Sequence, residues 1–277
     1  MPHKLIDLTL RPVTPMSILA AKLDATYQRA ALHTVIDSEF RDDFQGLVAL
    51  ATGLDPYVAN CTSPESADLT ALVHATQAAD WSHLYAAGQT AVALEQEMVS
   101  GHVEGQFLKM LVHALKAANI LEIGLFTGYS ALAMAEALPS SGKLIACEID
   151  TYAAQFASAI FAKSVHGHKI AVEHGPAVDT LKKLSGRGDS FDLVFIDADK
   201  GGYVNYFQAI LDGGLLADGG LICVDNTLMQ GEPYLPGKPS ANGKAIAQFN
   251  RVVAEDPRVE QVMLPLRDGL TLIRQVR

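Results

Sequence analysis

The sequence predicts an α/β fold: a doubly wound, mostly parallel seven-stranded sheet with an antiparallel last strand, preceded by a helical amino-terminal extension. Three observations predict it. From Asn119 onward, short apolar runs alternate with helical periods, the pattern of parallel strands joined by crossover helices. The runs are too short for helices and lack polar alternation, as strands buried on both faces do. Near the end, Arg267-Asp268-Gly269 separates two apolar runs, an Asp-Gly hairpin signal that adds an antiparallel strand.

The elements follow in order. Residues 1–100 read as a helical, loop-rich extension, and 101–277 as the sheet domain. Ser63-Pro64-Glu65 carries an N-cap and a proline at the first helical position, which predicts a helix toward Ala79. A second helix is expected over 90–99 and a third over 104–117, with Phe107, Leu108, Leu111 and Leu115 on one face. Strands are then expected at 120–123, 143–147, 169–173, 193–196 and 221–224. Helices at 129–138, 152–163, 177–184 and 203–211 connect them. A helix near 245–254 leads to the closing hairpin, 259–264 and 270–276.

Composition narrows the class. A chain of 277 residues with 49% hydrophobic and 19% charged residues is globular rather than disordered. A net charge of −10 disfavours nucleic acid and anionic membranes, which call for a basic face. The start, Met1-Pro-His-Lys-Leu-Ile-Asp, has no apolar core, so no secretory leader is expected, and no run approaches a membrane span. Cys61, Cys147 and Cys223 lack metal or redox spacing, and the last two fall in expected strands, as core thiols of a reducing compartment do. The expectation is a cytoplasmic protein acting on a small molecule.

Two acidic strand ends carry the chemistry. Phe191-Asp-Leu-Val-Phe-Ile-Asp197-Ala198-Asp199-Lys200 and Gly219-Gly220-Leu-Ile-Cys-Val-Asp225-Asn226 both stop abruptly in hard oxygen ligands. Ligands bind at the carboxyl ends of parallel strands, where Asp197, Asp225 and Asn226 would form a three-oxygen half-cage for Mg²⁺ or a similar cation. The bland alternative is helix capping by the aspartates. Asp199 reads equally as a cap for the helix near Tyr203 or as a substrate contact. Lys200 is a candidate general base if desolvation lowers its pKa, and otherwise an exposed lysine.

The first strand ends in Glu122-Ile-Gly124-Leu125-Phe-Thr-Gly128-Tyr-Ser130, a turn whose glycines let backbone approach a ligand closely. It is not the G-x-G-x-x-G fingerprint of dinucleotide binding. Glu148, ending the second strand, stands where an acid accepts hydrogen bonds from the ribose hydroxyls of an adenosine ligand. The loop 226–243, rich in Gly and Pro, reads as a substrate wall or lid. His166-Gly-His168 reads as a surface pair, and no nucleophile elbow, Walker A sequence or H-E-x-x-H is present.

Glu104-Gly105-Gln106-Phe107-Leu108, the segment 122–130, Gly175-Pro176-Ala177, Asp197-Ala-Asp-Lys200 and Asp225-Asn226-Thr227-Leu228 together resemble the cation-dependent class I O-methyltransferases of the caffeoyl-CoA and catechol type. The resemblance covers about 100–277. It implies that Ser100, Glu122, Gly124, Leu125, Ser130, Glu148 and Ala177 contact S-adenosylmethionine, with Asp197 beside them. It also implies that Asp197, Asp225 and Asn226 bind the metal and that Lys200 is the base. Met229-Gln230 departs from the Trp-Asn of the caffeoyl-CoA enzymes and marks a different acceptor wall. The chain as a whole, including Arg11-Pro12-Val-Thr14-Pro15, Gly53-Leu54-Asp55-Pro56-Tyr57 and Ala245-Ile-Ala-Gln-Phe-Asn250, is similar to the O-methyltransferases of mycosporine biosynthesis in cyanobacteria. That likeness implies demethyl-4-deoxygadusol as acceptor and a homodimer formed through amino-terminal helices. An NAD-dependent oxidoreductase and a non-enzymatic S-adenosylmethionine-binding scaffold stay open as other classes. The missing third glycine stands against the first, and the paired metal acids stand against both.

Overall fold

The computed structural model describes residues 11–31 and 37–276, so the leader reading at residues 1–7 lies outside the described residues. The described residues divide into two compact units, the boundary falling between Ser63 and Pro64. In the first, α1 (Pro15–Ala31) packs on α2 (Ser38–Cys61), with Tyr27 edge-on to Phe44 at 5.7 Å between ring centroids.

The second unit begins with α3 (Ala67–Ala78), α4 (Trp81–Ala86) and α5 (His102–Leu115). Strand and helix then alternate: β1 (Asn119–Ile123), α6 (Tyr129–Ala137), β2 (Lys143–Glu148), α7 (Thr151–Phe161), β3 (Ile170–His174) and α8 (Ala177–Arg187). They continue as β4 (Phe191–Ile196), α9 (Tyr203–Asp212), β5 (Leu216–Val224), α10 (Ala241–Glu255), β6 (Val259–Leu264) and β7 (Leu270–Gln275). The sheet order is β3-β2-β1-β4-β5-β7-β6, parallel through β5, with β7 antiparallel to both neighbours. The expected seven-stranded fold is the one observed.

Two helix expectations are corrected. The helix expected from Ser63 begins at Ala67, because Ser66 is the residue whose hydroxyl accepts the Leu69 amide, at 3.1 Å. Residues 90–99 form no α-helix beyond a single 3-10 turn, Gln96–Met98. There the backbone finds other partners: Asp150 accepts the Ala91 amide at 2.6 Å, and the Thr90 hydroxyl donates to the Val92 carbonyl at 2.9 Å.

Alternation along the central strands explains their continuous apolar runs. Leu193, Phe195 and Cys223 face a core built with α5 and α6, whereas Val194, Ile196, Ile222 and Val224 face one built with α8, α9 and α10. Both faces are dry, so no polar residue interrupts the pattern. Phe195 is fully buried, and truncating it to alanine would cost about 3–5 kcal/mol. This packing holds the strand ends, and hence their acids, in fixed register.

Candidate active site

The first half of the site is the β1–α6 turn. Gly124 has φ +94°, and a Cβ there would lie 2.0 Å from the Asp197 carbonyl oxygen. Only glycine lets this loop sit against the end of β4. Gly128 has φ +87° and abuts the Phe161 ring, where a Cβ would come within 2.3 Å of Cζ. Glu122 is fully buried; the Ser130 hydroxyl donates to one oxygen, and Oε2 has no partner. Burial pushes its pKa up to about 8; Ser130 opposes this, while the charges of Asp197 and Glu148 add to it.

Glu148 shapes the same loop. Its Oε2 accepts the amides of Leu125 (3.1 Å) and Phe126 (2.8 Å), and its Oε1 accepts that of Asp150 (2.8 Å). Carboxylate oxygens can accept more than one bond, so Oε1 keeps capacity for a further donor. The Gly175 amide donates to the Glu148 carbonyl at 2.9 Å, which aligns the start of α8 at Ala177 with the end of β2. Ser100 is buried immediately before Gly101, where a Cβ would come within 3.2 Å of the Arg267 guanidinium.

The second half lies on β4 and β5. The Asp197 amide donates to the Ile123 carbonyl and the Asp225 amide to that of Ile196, both at 2.9 Å, so three strand ends stay in step. Asp225 is buried, and its Oδ1 has no partner. Burial, with Asp197 next, pushes its pKa up to about 7 against the pull of Lys200 and smaller opposing contributions. Asn226 follows in the left-handed region, φ +59°, which asparagine tolerates better than most residues. Asp199 caps the next turn through its backbone only; its side chain accepts the Tyr206 hydroxyl at 2.6 Å.

Lys200 is tied to the same strand end. Its Nζ donates to Asp197 Oδ1 (2.9 Å), the Ala198 carbonyl (3.0 Å) and the Tyr203 hydroxyl (2.8 Å). Burial alone would lower its pKa, but Asp197, Tyr203 and Asp225 together raise it above the ordinary lysine value. Its ion pair with Asp197 holds that carboxylate at the end of β4.

Asp197, Asp225 and Asn226 fit a hard cation. Two carboxylates of like charge sit at adjacent strand ends, and one has a buried oxygen that nothing in the protein satisfies. Among the described residues no group of three or more His, Cys, Asp or Glu could hold a metal; Asn226, next to Asp225, would offer a third protein oxygen. His166-Gly-His168 takes no part: a ring nitrogen of His168 lies 2.8 Å from the Val165 carbonyl. Met229 is half-buried against the α8–α10 core, and Gln230 is half-buried beside it on the loop that leaves Asn226.

Four residues have roles that the sequence did not assign to them. Asp150 caps α7 while holding the Ala91 amide, and Trp81 packs at a tilt against Phe126 of the glycine loop, 5.0 Å between ring centroids. Glu104 is fully buried and pairs with Arg267 at 3.3 Å. It lies four and eight residues before Leu108 and Val112 on the buried stripe of α5, a spacing that could have revealed it. Asp268 is buried at the hairpin tip. A cavity of about 410 Å³ lined by Trp81, Tyr85 and Leu94 contains none of the strand-end acids.

Residues 81–276 match the family described as O-methyltransferase. The chain belongs to that family. It is an S-adenosylmethionine-dependent O-methyltransferase on the class I sheet. It is 40% identical over 186 residues to a caffeoyl-CoA O-methyltransferase of Petroselinum crispum, covering 65% of this chain and 77% of the relative. Among solved structures, the SAH-bound Podospora anserina methyltransferase PaMTH1 has a TM-score of 0.71 at 28% identity, covering 82% of this chain and 96% of that one. The TomG O-methyltransferase of Streptomyces achromogenes, involved in tomaymycin synthesis and solved with SAM, has a TM-score of 0.64 at 27% identity, covering 81% and 96%. No helix among the described residues is long and apolar enough to cross a membrane.

Proposed function

We propose that this protein is a divalent-cation-dependent enzyme that methylates one hydroxyl of a vicinal enediol or diol. Its acceptor in this reading is demethyl-4-deoxygadusol, converted to 4-deoxygadusol in mycosporine biosynthesis. The observation that carries the cation is the buried, unpartnered Oδ1 of Asp225 beside Asp197. A charge so placed is costly unless something compensates it.

The residues then divide by role. Asp197, Asp225 and Asn226 would hold the cation, Mg²⁺ by the hardness of their oxygens. When bound, it would lower the acceptor hydroxyl pKa and orient two vicinal oxygens toward the sulfonium methyl. The glycine loop, Glu122, Ser130, Glu148, Ala177 and Ser100 would seat S-adenosylmethionine. Glu122 keeps a buried acceptor oxygen for it, and Glu148 keeps the loop amides in place. Lys200 would orient Asp197 through the hydrogen bond it donates to Oδ1, its own ammonium being fixed by the Ala198 carbonyl and the Tyr203 hydroxyl. Asp199, Met229 and Gln230 would line the acceptor side.

Support for the enediol acceptor is the whole-chain resemblance and the Met229-Gln230 pair at the acceptor wall. A caffeoyl-CoA acceptor is the second reading, favoured by the 40% identity to the Petroselinum crispum enzyme. A homodimer and a cytoplasmic location belong to the same proposal. The test is methyl transfer from S-adenosylmethionine to demethyl-4-deoxygadusol, a catechol and caffeoyl-CoA, with Mg²⁺ and after thorough chelation. Preference for the first acceptor and loss on chelation are expected. Faster turnover of caffeoyl-CoA would favour the second reading, and undiminished transfer after chelation would end the cation mechanism.

A further inference from the structure

We infer that the Arg267–Gly269 turn positions the acceptor-side loop, with Asp268 as the positioning residue and the Glu104–Arg267 pair as its anchor. The functional part of this rests on the reading of Asn226 as a metal ligand and of Met229-Gln230 as acceptor wall.

The loop after β5 has an unusual backbone. Asn226, Met229 and Gln230 all have positive φ, at +59°, +42° and +55°. Non-glycine residues in this region persist only where their surroundings over-determine them, and such strain collects at ligand clamps. Two of the three are a Met and a Gln, which lack the short side chain that eases the left-handed region for Asn.

The hairpin turn supplies the constraint. The Thr227 amide donates to the Gly269 carbonyl at 3.0 Å and the Leu228 amide to the Asp268 carbonyl at 2.8 Å. The Asp268 carboxylate accepts the Gln230 amide at 2.6 Å, a short bond to a buried acid. Gly269, φ +92°, lies so close that a Cβ would come within 2.6 Å of the Leu228 side chain. Three amides of the strained loop, those of Thr227, Leu228 and Gln230, are therefore held by one turn.

The turn is in its turn fixed to α5. Arg267 has φ +49°, its Nε stands 3.3 Å from Glu104 Oε2, and its Nη2 donates to the Val99 carbonyl at 3.3 Å. Glu104 is fully buried, and neither of its oxygens has a hydrogen bond. A pair with a buried, poorly hydrogen-bonded carboxylate and a half-buried guanidinium adds little net stability over apolar packing; fixing a single register is the better-attested use of such a pair. Contacts thus run without a break from α5 through Arg267 and Asp268 to Gln230; on the donor side, among the described residues, Arg267 touches only the segment around Ser100, and Asp268 and Gln230 have no bond to the loop on β1.

Three variants of the full chain test this: Asp268→Ala, Asp268→Asn, which keeps an oxygen to accept the Gln230 amide, and Glu104→Gln. Hydrogen exchange is followed on peptides covering 226–235 and 122–130, and KM is measured separately for acceptor and S-adenosylmethionine, with Mg²⁺ varied. Asp268→Ala should expose the 226–235 amides and raise acceptor KM and half-saturating Mg²⁺ by about ten-fold, as loss of a bond to a charged group does. The S-adenosylmethionine KM and the 122–130 amides should be unmoved. Asp268→Asn should restore most of both properties, and Glu104→Gln should expose the same peptide to a lesser degree. Unchanged exchange in Asp268→Ala, equal effects on both KM values, or no rescue by asparagine would overturn the positioning role. Unchanged exchange in Glu104→Gln would remove the anchor. If the native enzyme needs no cation, the functional reading fails by itself, while the exchange data still decide the clamp.

Discussion

Gly124→Ala tests the contact on which the two half-sites depend. The added Cβ would lie 2.0 Å from the Asp197 carbonyl oxygen, 2.6 Å from its carbon and 2.9 Å from Ala198 Cα, where ordinary contact starts at 3.4 Å. Asp197 would have to retreat by more than an ångström. It is not free to do so, because its amide is bonded to Ile123 and its carboxylate to Lys200. Alanine at positive φ costs about 1–3 kcal/mol, and overpacking against rigid backbone adds about 1–3 kcal/mol. Together these amount to about 4 kcal/mol, or a fall in Tm of roughly 8–16 °C for a chain of this size. Displacing Asp197 by an ångström would slow methyl transfer by about 10²-fold. Gly175→Ala is the control: its φ is +129°, but nothing lies within 4 Å of the new Cβ, so only the backbone cost remains. Thermal unfolding and initial-rate methyl transfer would be measured on both variants. Equal losses of rate in the two would refute the claim that Gly124 exists to admit Asp197.

Three further outcomes are expected. Glu122 has its pKa raised to about 8, first by burial, so without donor it destabilises the fold increasingly as pH rises from the unfolded carboxylate value toward 8. Glu122→Gln should gain stability over the native chain across that window and level off above it; parallel stability–pH curves in chemical denaturation would contradict this. Asp225→Asn removes a buried, unpartnered charge while keeping the shape, so Tm without metal should rise by a few degrees while any Mg²⁺-dependent rise in Tm disappears. A Mg²⁺ shift retained in that variant would remove Asp225 from the ligand set. Lys200→Ala should slow turnover by about ten-fold, and Asp197→Ala by about 10²-fold or more, if Lys200 acts by orienting Asp197 rather than by taking the proton. Similar losses in initial-rate assays would restore Lys200 as a base.

Much of this was readable from residue order because the central strands are buried on both faces. An apolar run ending in Asp197, or in Asp225-Asn226, admits few structures other than a parallel strand meeting a ligand edge. The helices before residue 100 were read less well, for local reasons. Ser63 and Ser66 both offer a capping hydroxyl, and only the contact between Ser66 and Glu136, seventy residues away, favours the second. Residues 90–99 carry helix formers, yet Asp150 captures the Ala91 amide from outside the segment. The oxygens around Lys200, from the Asp197 carboxylate, the Ala198 carbonyl and the Tyr203 phenol, all lie within three residues of it, but spacing alone does not say that the side chain turns back onto them. Asp268 looked like an ordinary turn residue; its meeting with Gln230 depends on β7 lying beside β5.

Trp81 is the chain's single tryptophan, and it packs against Phe126 of the glycine loop, with Tyr152 and Phe156 also against it. Indole emission excited at the red edge therefore comes from one place, with no second tryptophan to dilute it. Any rearrangement of the glycine loop would be written into its intensity and wavelength. The protein thus carries its own optical probe of that loop, suited to stopped-flow measurement of donor binding before any acceptor is added.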